Sequence, residues 1–212
     1  MKTKYDLYEY ENDLHKKGYK FIAGCDEAGR GPLYGPVVAG CCVLPEDFVL
    51  EGLTDSKQLT EKKREKYFDY IKEHALAYGI GIVSPEEIDE INIYEASRKA
   101  MTIALNEVRK KVDVDYVITD AMPINLDIEV LPIIKGDAKS ITIAAASVLA
   151  KVTRDHMMIE VANKYPEYGF ASHKGYPTKK HIDAINKYGL ISGYRKSYGP
   201  VKEVLERVKK CK

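Results

Sequence analysis

Apolar positions fall into short continuous or alternating runs early in the chain and into helix-spaced stripes later. A polar lead-in over residues 1–18, compatible with a helix, precedes two strand-like runs at 20–26 and 37–44, which are joined by a Gly/Pro-rich loop at 29–36. Residues 60–77 carry helical periodicity from Thr60, with Lys63 where a capping box would need Glu or Gln. Alternation with glycine over 78–83 predicts a third strand. Ser84-Pro85-Glu86-Glu87 then opens a helix, with serine as N-cap, proline in the first turn and acids beside it. A long amphipathic helix is predicted over 93–111. Residues 116–119 predict a fourth strand ending at Asp120, and 130–133 a fifth. The stretch 140–164, rich in Ala, Ile and Val, reads as a deeply buried helix stopped by Pro166. Residues 168–178 read as a loop with interleaved aromatics, and short helices follow near 179–188 and 201–210. Strands first, then strands alternating with helices, fit an α/β chain with a mixed sheet flanked by helices.

A chain of 212 residues is long enough for one large domain or two small ones, and 45% hydrophobic content supplies a core. The four cysteines, Cys25, Cys41, Cys42 and Cys211, show no metal-ligand spacing and read as free thiols, with Cys41 and Cys42 buried in a strand. The charged start lacks a secretory apolar region, and the longest apolar stretch, 141–150, is too short for a membrane span. A soluble, cytoplasmic protein is expected. The net charge of +1 conceals an asymmetry: residues 171–212 hold 11 Lys or Arg against 3 acids, and the remainder 22 basic against 29 acidic residues. An acidic body with a basic C-terminal fifth fits a metal site beside a phosphate-gripping segment, and equally a solubilising helical end.

The candidate chemistry centres on Asp26-Glu27-Ala28-Gly29-Arg30-Gly31, which follows the apolar run 21–25. Two adjacent carboxylates at a strand end are costly to bury without a cation. Because side chains alternate along a strand, both serve one metal cluster only where the strand bends or ends between them. Gly-Arg-Gly adds flexible backbone, N–H donors and a fixed positive charge, which suit a phosphate or sugar. Carboxylates beside such a loop suggest phosphodiester chemistry. Asp120 sits at a strand tip, where it could also simply open a turn. Asp137 follows Gly136 before the buried helix, where it could also be an N-cap. His156, His173 and His181 have no partner of metal-ligand type at helical spacing and read as structural or substrate-adjacent. Asp155 reads as structural, paired with Lys151 or Arg154. Ser147 and Lys151 share a helix face that either packs or reaches a nucleic-acid backbone.

Together with Asp55-Ser56-Lys57, Thr119-Asp120-Ala121, residues 136–140 and the run 144–155, the Asp26–Gly31 motif resembles the bacterial type 2 ribonucleases H, the ribonuclease HII family. The resemblance extends from about Tyr19 to about Val201. It implies a ribonuclease H-like fold with a mixed five-stranded sheet and a small helical C-terminal appendage. The corresponding organisation is a lead-in at 1–18, a catalytic domain at 19–165 and a basic substrate-binding segment at 166–212. It further implies an endonuclease that hydrolyses the phosphodiester 5′ of ribonucleotides in duplex DNA and the RNA strand of RNA–DNA hybrids, acting as a monomer. Asp26, Glu27, Asp120 and Asp137 match the family's four acidic residues and would hold Mn²⁺ or Mg²⁺, hard cations suited to oxygen ligands. Gly29, Arg30 and Gly31 would meet the ribose and scissile phosphate. Tyr176, in His173-Lys174-Gly175-Tyr176, would pack on the next sugar and sense the RNA-to-DNA junction, with Lys57 and Lys174 on phosphates. Ribonuclease HIII is a weaker alternative, because only 25 residues precede Asp26 and that family usually carries an extra N-terminal domain. A non-catalytic nucleic-acid-binding module is the other alternative, disfavoured by carboxylates that would repel a polyanion.

Overall fold

The computed structural model describes residues 6–210. Five strands, β1 (Ile22–Ala28), β2 (Val37–Val43), β3 (Ala77–Val83), β4 (Tyr116–Asp120) and β5 (Val130–Ile133), form one sheet in the order β3-β2-β1-β4-β5. β1, β2 and β3 pair antiparallel, whereas β4 runs parallel to both β1 and β5. The mixed five-stranded sheet expected from the sequence is therefore present.

Helix α1 spans Glu9–Lys16, α2 Glu61–His74, α3 Pro85–Arg109 and α4 Ile141–Lys164. α3 covers one sheet face, setting Ala96, Ala100 and Ala104 against Cys25, Ala39 and Cys41. α4 covers the other face and meets α2 on its outer side, where Tyr67 and Ile71 pack, so residues 141–150 of α4 are buried all round. Its approach to the sheet depends on missing side chains. A Cβ on Gly24 would lie 2.7 Å from the Thr142 backbone, and one on Gly40 2.4 Å from the Ala146 carbonyl. α4 therefore rides directly on β1 and β2, and its N-terminus stays close to the strand ends that carry the acids.

Local sequence explains most boundaries. The side chains of Thr60, Ser84 and Ser140 accept hydrogen bonds from Lys63, Glu87 and Ile143 amides, capping α2, α3 and α4. α3 is two helices joined at Asn92, whose φ of 68° breaks the spiral and whose side chain caps Tyr94 and Glu95; the predicted start at Ser84 and the helix from 93 are thus both present. The lead-in is more than a polar extension. Glu11 in α1 is buried, and its Oε1 accepts from Ser140 Oγ at 2.5 Å and Thr142 N at 3.0 Å, placing negative charge at the α4 N-terminus.

The C-terminal region differs from the sequence reading at one point. Residues 168–178 include a short helix, α5 (Phe170–His173), because the fully buried Phe170 anchors the segment. With α6 (Lys179–Tyr188) and α7 (Gly199–Lys210) it surrounds a core that contains Leu33, Tyr34, Met158, Ile185, Tyr194 and Val201. Cys25, Cys41 and Cys42 are free and buried as expected, and Cys211 lies outside the described residues. No helix among the described residues is long and apolar enough to cross a membrane.

Candidate active site

Parallel pairing of β1 with β4 sets Cys25 opposite Thr119, so Asp26 and Asp120 emerge side by side at the carboxyl ends of adjacent strands. Such ends are where open α/β sheets present ligands. β5 pairs with β4 and returns the chain to the same end, where Gly136–Ala138 forms a single 3-10 turn carrying Asp137. Carboxylate oxygens of Asp26, Asp120 and Asp137 lie within 4.8 Å of one another. Asp120 Oδ1 is fixed by the Gly136 amide at 2.7 Å. Ala121, directly after Asp120, has φ of 53°, and Lys135, two residues before Asp137, has φ of 58°. Left-handed backbone at two non-glycine positions beside the acids is strain that the surrounding fold must hold in place. The long helix is capped by Ser140, which leaves Asp137 free of the N-cap role.

Glu27 stands beside this triad rather than within it. β1 continues through Ala28 without a break, so alternation turns Glu27 away from the face of Asp26. Its Oε1 meets Arg30 Nη1 at 3.3 Å, while Oε2 is buried with no hydrogen-bond partner. Burial, followed by repulsion from Glu27, Asp120 and Asp137, holds the Asp26 carboxyl well above the usual carboxylate range. Asp137 is pushed up to about 6 by burial and by Asp120 and Asp55, and burial also raises Glu27. A crowded set of hard oxygen donors with one unpartnered buried oxygen lacks positive charge. It fits a hard divalent cation, and the all-carboxylate composition offers nothing to a softer metal.

Asp26 and Glu27 open onto a cleft of about 380 Å³ lined also by residues 28–31, Ser56, Lys57, Arg64, Lys151, Arg154 and Tyr176. The glycine loop and Tyr176 meet there: a Cβ on Gly31 would lie 3.3 Å from the Tyr176 ring, which is 42% exposed. Lys57 Nζ reaches Asp137 Oδ2 at 3.8 Å, held at the cleft by a turn that Asp55 caps. Lys174 is not among the cleft-lining residues. Its Nζ donates to the Ala171 carbonyl at 2.7 Å. Ser147 packs inward, with its hydroxyl on the Ala144 carbonyl, and Lys151 pairs with Asp155 at 2.7 Å as expected for a structural Asp155.

The sequence reading missed the scaffold of the loop. Arg154 is 1% exposed and donates to the carbonyls of Pro36, Lys174 and Tyr34; Arg195 is 0% exposed and donates to those of Gly35, Arg30 and Gly29. Leu33 N bonds to the Gly175 carbonyl and Gly35 N to that of Gly193. His173 and His181 stack at 4.4 Å beneath Tyr176: Gly175 N donates to His173 Nδ1, and His181 Nδ1 pairs with the Tyr176 carbonyl. Burial depresses both imidazoles, His181 to about 4, so they serve as neutral supports. His156 instead pairs with Glu65 on the surface. Arg154 falls within the 144–155 run, but nothing in that run points to loop carbonyls as its partners; the only signal for Arg195 was an arginine in a Gly/Tyr-rich turn.

Comparison with known proteins gives this arrangement its context. The chain is 52% identical over 202 residues to ribonuclease HII of Bacillus mycoides and of Bacillus cereus, covering 95% of this chain and 78% of each relative. The crystal structure of ribonuclease H2 from Pyrococcus horikoshii superposes with a TM-score of 0.76 at 31% identity, over 90% of this chain and 99% of that one. A Bst ribonuclease HIII crystallised with Mn²⁺ shares the fold, with a TM-score of 0.68 at 18% identity over 92% of this chain and 72% of that one. The sheet and its flanking helices are thus a ribonuclease H-like fold. The family model for ribonuclease HII matches residues 23–198, from the first strand through the turn that carries Arg195. By that match and by its relatives, the chain belongs to the ribonuclease HII family of metal-dependent endoribonucleases.

Proposed function

We propose that this cleft hydrolyses the phosphodiester on the 5′ side of a ribonucleotide embedded in duplex DNA, and the RNA strand of RNA–DNA hybrids. The observation that carries the reading is that Asp26, whose carboxylate clusters with those of Asp120 and Asp137, lines one cleft with the Gly29–Gly31 loop. Asp26, Asp120 and Asp137 would hold divalent cations, Mn²⁺ or Mg²⁺, with Glu27 a ligand only from beside the triad, through its unpartnered Oε2. When bound, a pair of such ions would supply an activated water and positive charge for the leaving oxygen.

The chain's own groups perform the recognition. The Gly136 amide keeps Asp120 aimed into the cluster. Arg30 and Lys57 lie 3.3 and 3.8 Å from Glu27 and Asp137, and both side chains are accessible to an incoming phosphate. The backbone of Gly29, Arg30 and Gly31 meets the ribose, whose 2′-hydroxyl separates RNA from DNA at one position. The Tyr176 ring, against Gly31, stacks on the adjoining sugar. Lys174 would contact a phosphate only after releasing the Ala171 carbonyl. Residues 166–212 supply a positive surface that tracks the duplex, the body at 19–165 carries the chemistry, and the enzyme works as a cytoplasmic monomer. A purely binding role is disfavoured, because a polyanion would meet uncompensated carboxylates. The test is cleavage of a DNA duplex containing one ribonucleotide, with products mapped to the nucleotide in Mn²⁺, in Mg²⁺ and with chelator. Scission 5′ of the ribonucleotide that chelator abolishes is expected; metal-independent binding without scission would overturn the proposal.

A further inference from the structure

Two fully buried guanidiniums lie beneath a loop proposed to touch substrate, and neither uses a carboxylate as its hydrogen-bond partner. Arg195 enters from the turn between α6 and α7. It donates from Nη2 to the Gly29 carbonyl at 2.6 Å, from Nη1 to the Arg30 carbonyl at 2.9 Å and to Tyr198 Oη at 2.9 Å, and from Nε to the Gly35 carbonyl at 3.0 Å. Tyr198 Oη itself donates to the Arg30 carbonyl at 2.6 Å. A buried cation is tolerated only when its donors are satisfied, and here backbone oxygens do that.

The geometry has a consequence on the opposite side of the loop. A trans peptide is planar, so its N–H points away from its C=O, and the described residues contain no cis bond. The Gly29 carbonyl belongs to the peptide that carries the Arg30 amide, and the Arg30 carbonyl to the peptide that carries the Gly31 amide. With both carbonyls drawn onto the buried guanidinium, both amides point away from it, where residues 29–31 line the cleft. Neither amide has a hydrogen-bond acceptor among the described residues. Gly29 permits the turn with φ of 97°, and a Cβ there would lie 2.1 Å from Arg154 Nε.

We propose that Arg195 is a positioning residue for substrate selection, holding two consecutive peptides so that the Arg30 and Gly31 amides form a fixed donor pair for the sugar–phosphate of the ribonucleotide. The inference rests on the reading of this loop as the ribose contact. Lysine at 195 would keep the charge, but a single ammonium lacks the planar fork that spans three carbonyls.

Arg195→Lys and Tyr198→Phe test it, each measured for kcat and KM on a duplex with one ribonucleotide, for affinity to the all-deoxy duplex of the same sequence, and for melting temperature. Arg195→Lys is expected to lower kcat by about 10²-fold, the scale of losing one preorganised donor, while all-deoxy affinity stays within about 3-fold, as expected where ground-state binding is untouched. Tyr198→Phe, which opens no cavity, should lose roughly 3- to 10-fold in kcat in the same pattern, as for one weakened support. A folded Arg195→Lys that retains its kcat, or that loses all-deoxy binding in equal measure, overturns the proposal. If Arg195→Lys does not fold, Tyr198→Phe decides alone, and an unchanged kcat there also overturns it. Failure of the unmodified protein to cut at the ribonucleotide would instead remove the underlying reading of the loop.

Discussion

At the carboxyl ends of β1 and β4, Asp26, Asp120 and Asp137 converge without enough positive charge among them. Three residues beyond Asp26, the loop 29–36 wraps two buried guanidiniums that satisfy its carbonyls. The acidic region is electrostatically incomplete: burial and mutual repulsion raise Asp26 and Asp137, and Glu27 keeps an unpartnered oxygen. The loop region is complete, with its cations supplied by α4 and by the α6–α7 turn. One neighbour awaits charge from outside and the other carries its charge within. Chemistry is thereby left to a ligand that must bind, whereas recognition is preorganised in the fold.

The largest expected effect breaks the acidic side. Asp120→Asn keeps an oxygen to accept from the Gly136 amide, so the fold should persist while a ligand charge is lost. Cleavage at saturating metal should fall by more than the ~10²–10⁴ of a single acid–base group. Near-unchanged turnover would take Asp120 out of the site.

Next comes the recognition side. Tyr176→Ala should depress cleavage at a single embedded ribonucleotide about 5- to 150-fold more than cleavage within a long hybrid, since stacking on one ring is worth ~1–3 kcal/mol. Equal losses on both substrates would make Tyr176 a general support.

A smaller effect separates recognition from general attraction. Removing the end of the chain cannot make this distinction, because Arg195 and Val201 are buried in the loop scaffold. Lys202→Gln with Lys209→Gln instead alters exposed positions of α7. The slope of log affinity against log salt should flatten by up to about 0.9 for each phosphate no longer neutralised; an unchanged slope would leave α7 as a solubilising surface.

The acidic region should also show itself in stability. A carboxyl whose folded pKa is raised from 3.8 to about 6 contributes stability below about pH 4 that is lost as pH rises through 6. The metal-free protein should therefore lose this contribution between pH 4 and 7. Added Mg²⁺ or Mn²⁺ should raise the melting temperature more at pH 8 than at pH 5, where protons compete for the same oxygens. An equal shift at both pH values would contradict the crowded-carboxylate account. The smallest effect belongs to Lys174→Met, expected to change duplex affinity less than about 2-fold, within the range of exposed ion contacts, because Nζ serves Ala171; Lys57→Met should cost more.

Much of the framework was legible in the order of residues. Ser84 and Ser140 marked helix starts because a cap is a local hydrogen bond, and the five strands followed from apolar runs of matching length. The Asp26–Gly31 motif located the cleft because both of its chemistries lie on one short segment. The region around 168–178 was harder to read, since α5 exists through the burial of Phe170 against residues far away in the chain.

By itself, the sequence determined most of the elements, the acidic residues available and the Gly29-Arg30-Gly31 segment beside two of them. These are properties of neighbours a few residues apart. Only the tertiary structure decided that Asp26, Asp120 and Asp137 share one point while Glu27 stands aside. Parallel pairing closes the long separations, and the uninterrupted pleat of β1 sends adjacent side chains to opposite faces. Only the tertiary structure, too, decided the work of Arg154 and Arg195. Which carbonyls face a guanidinium depends on the orientation of peptide planes in loops drawn from three parts of the chain, and no periodicity of residues records it.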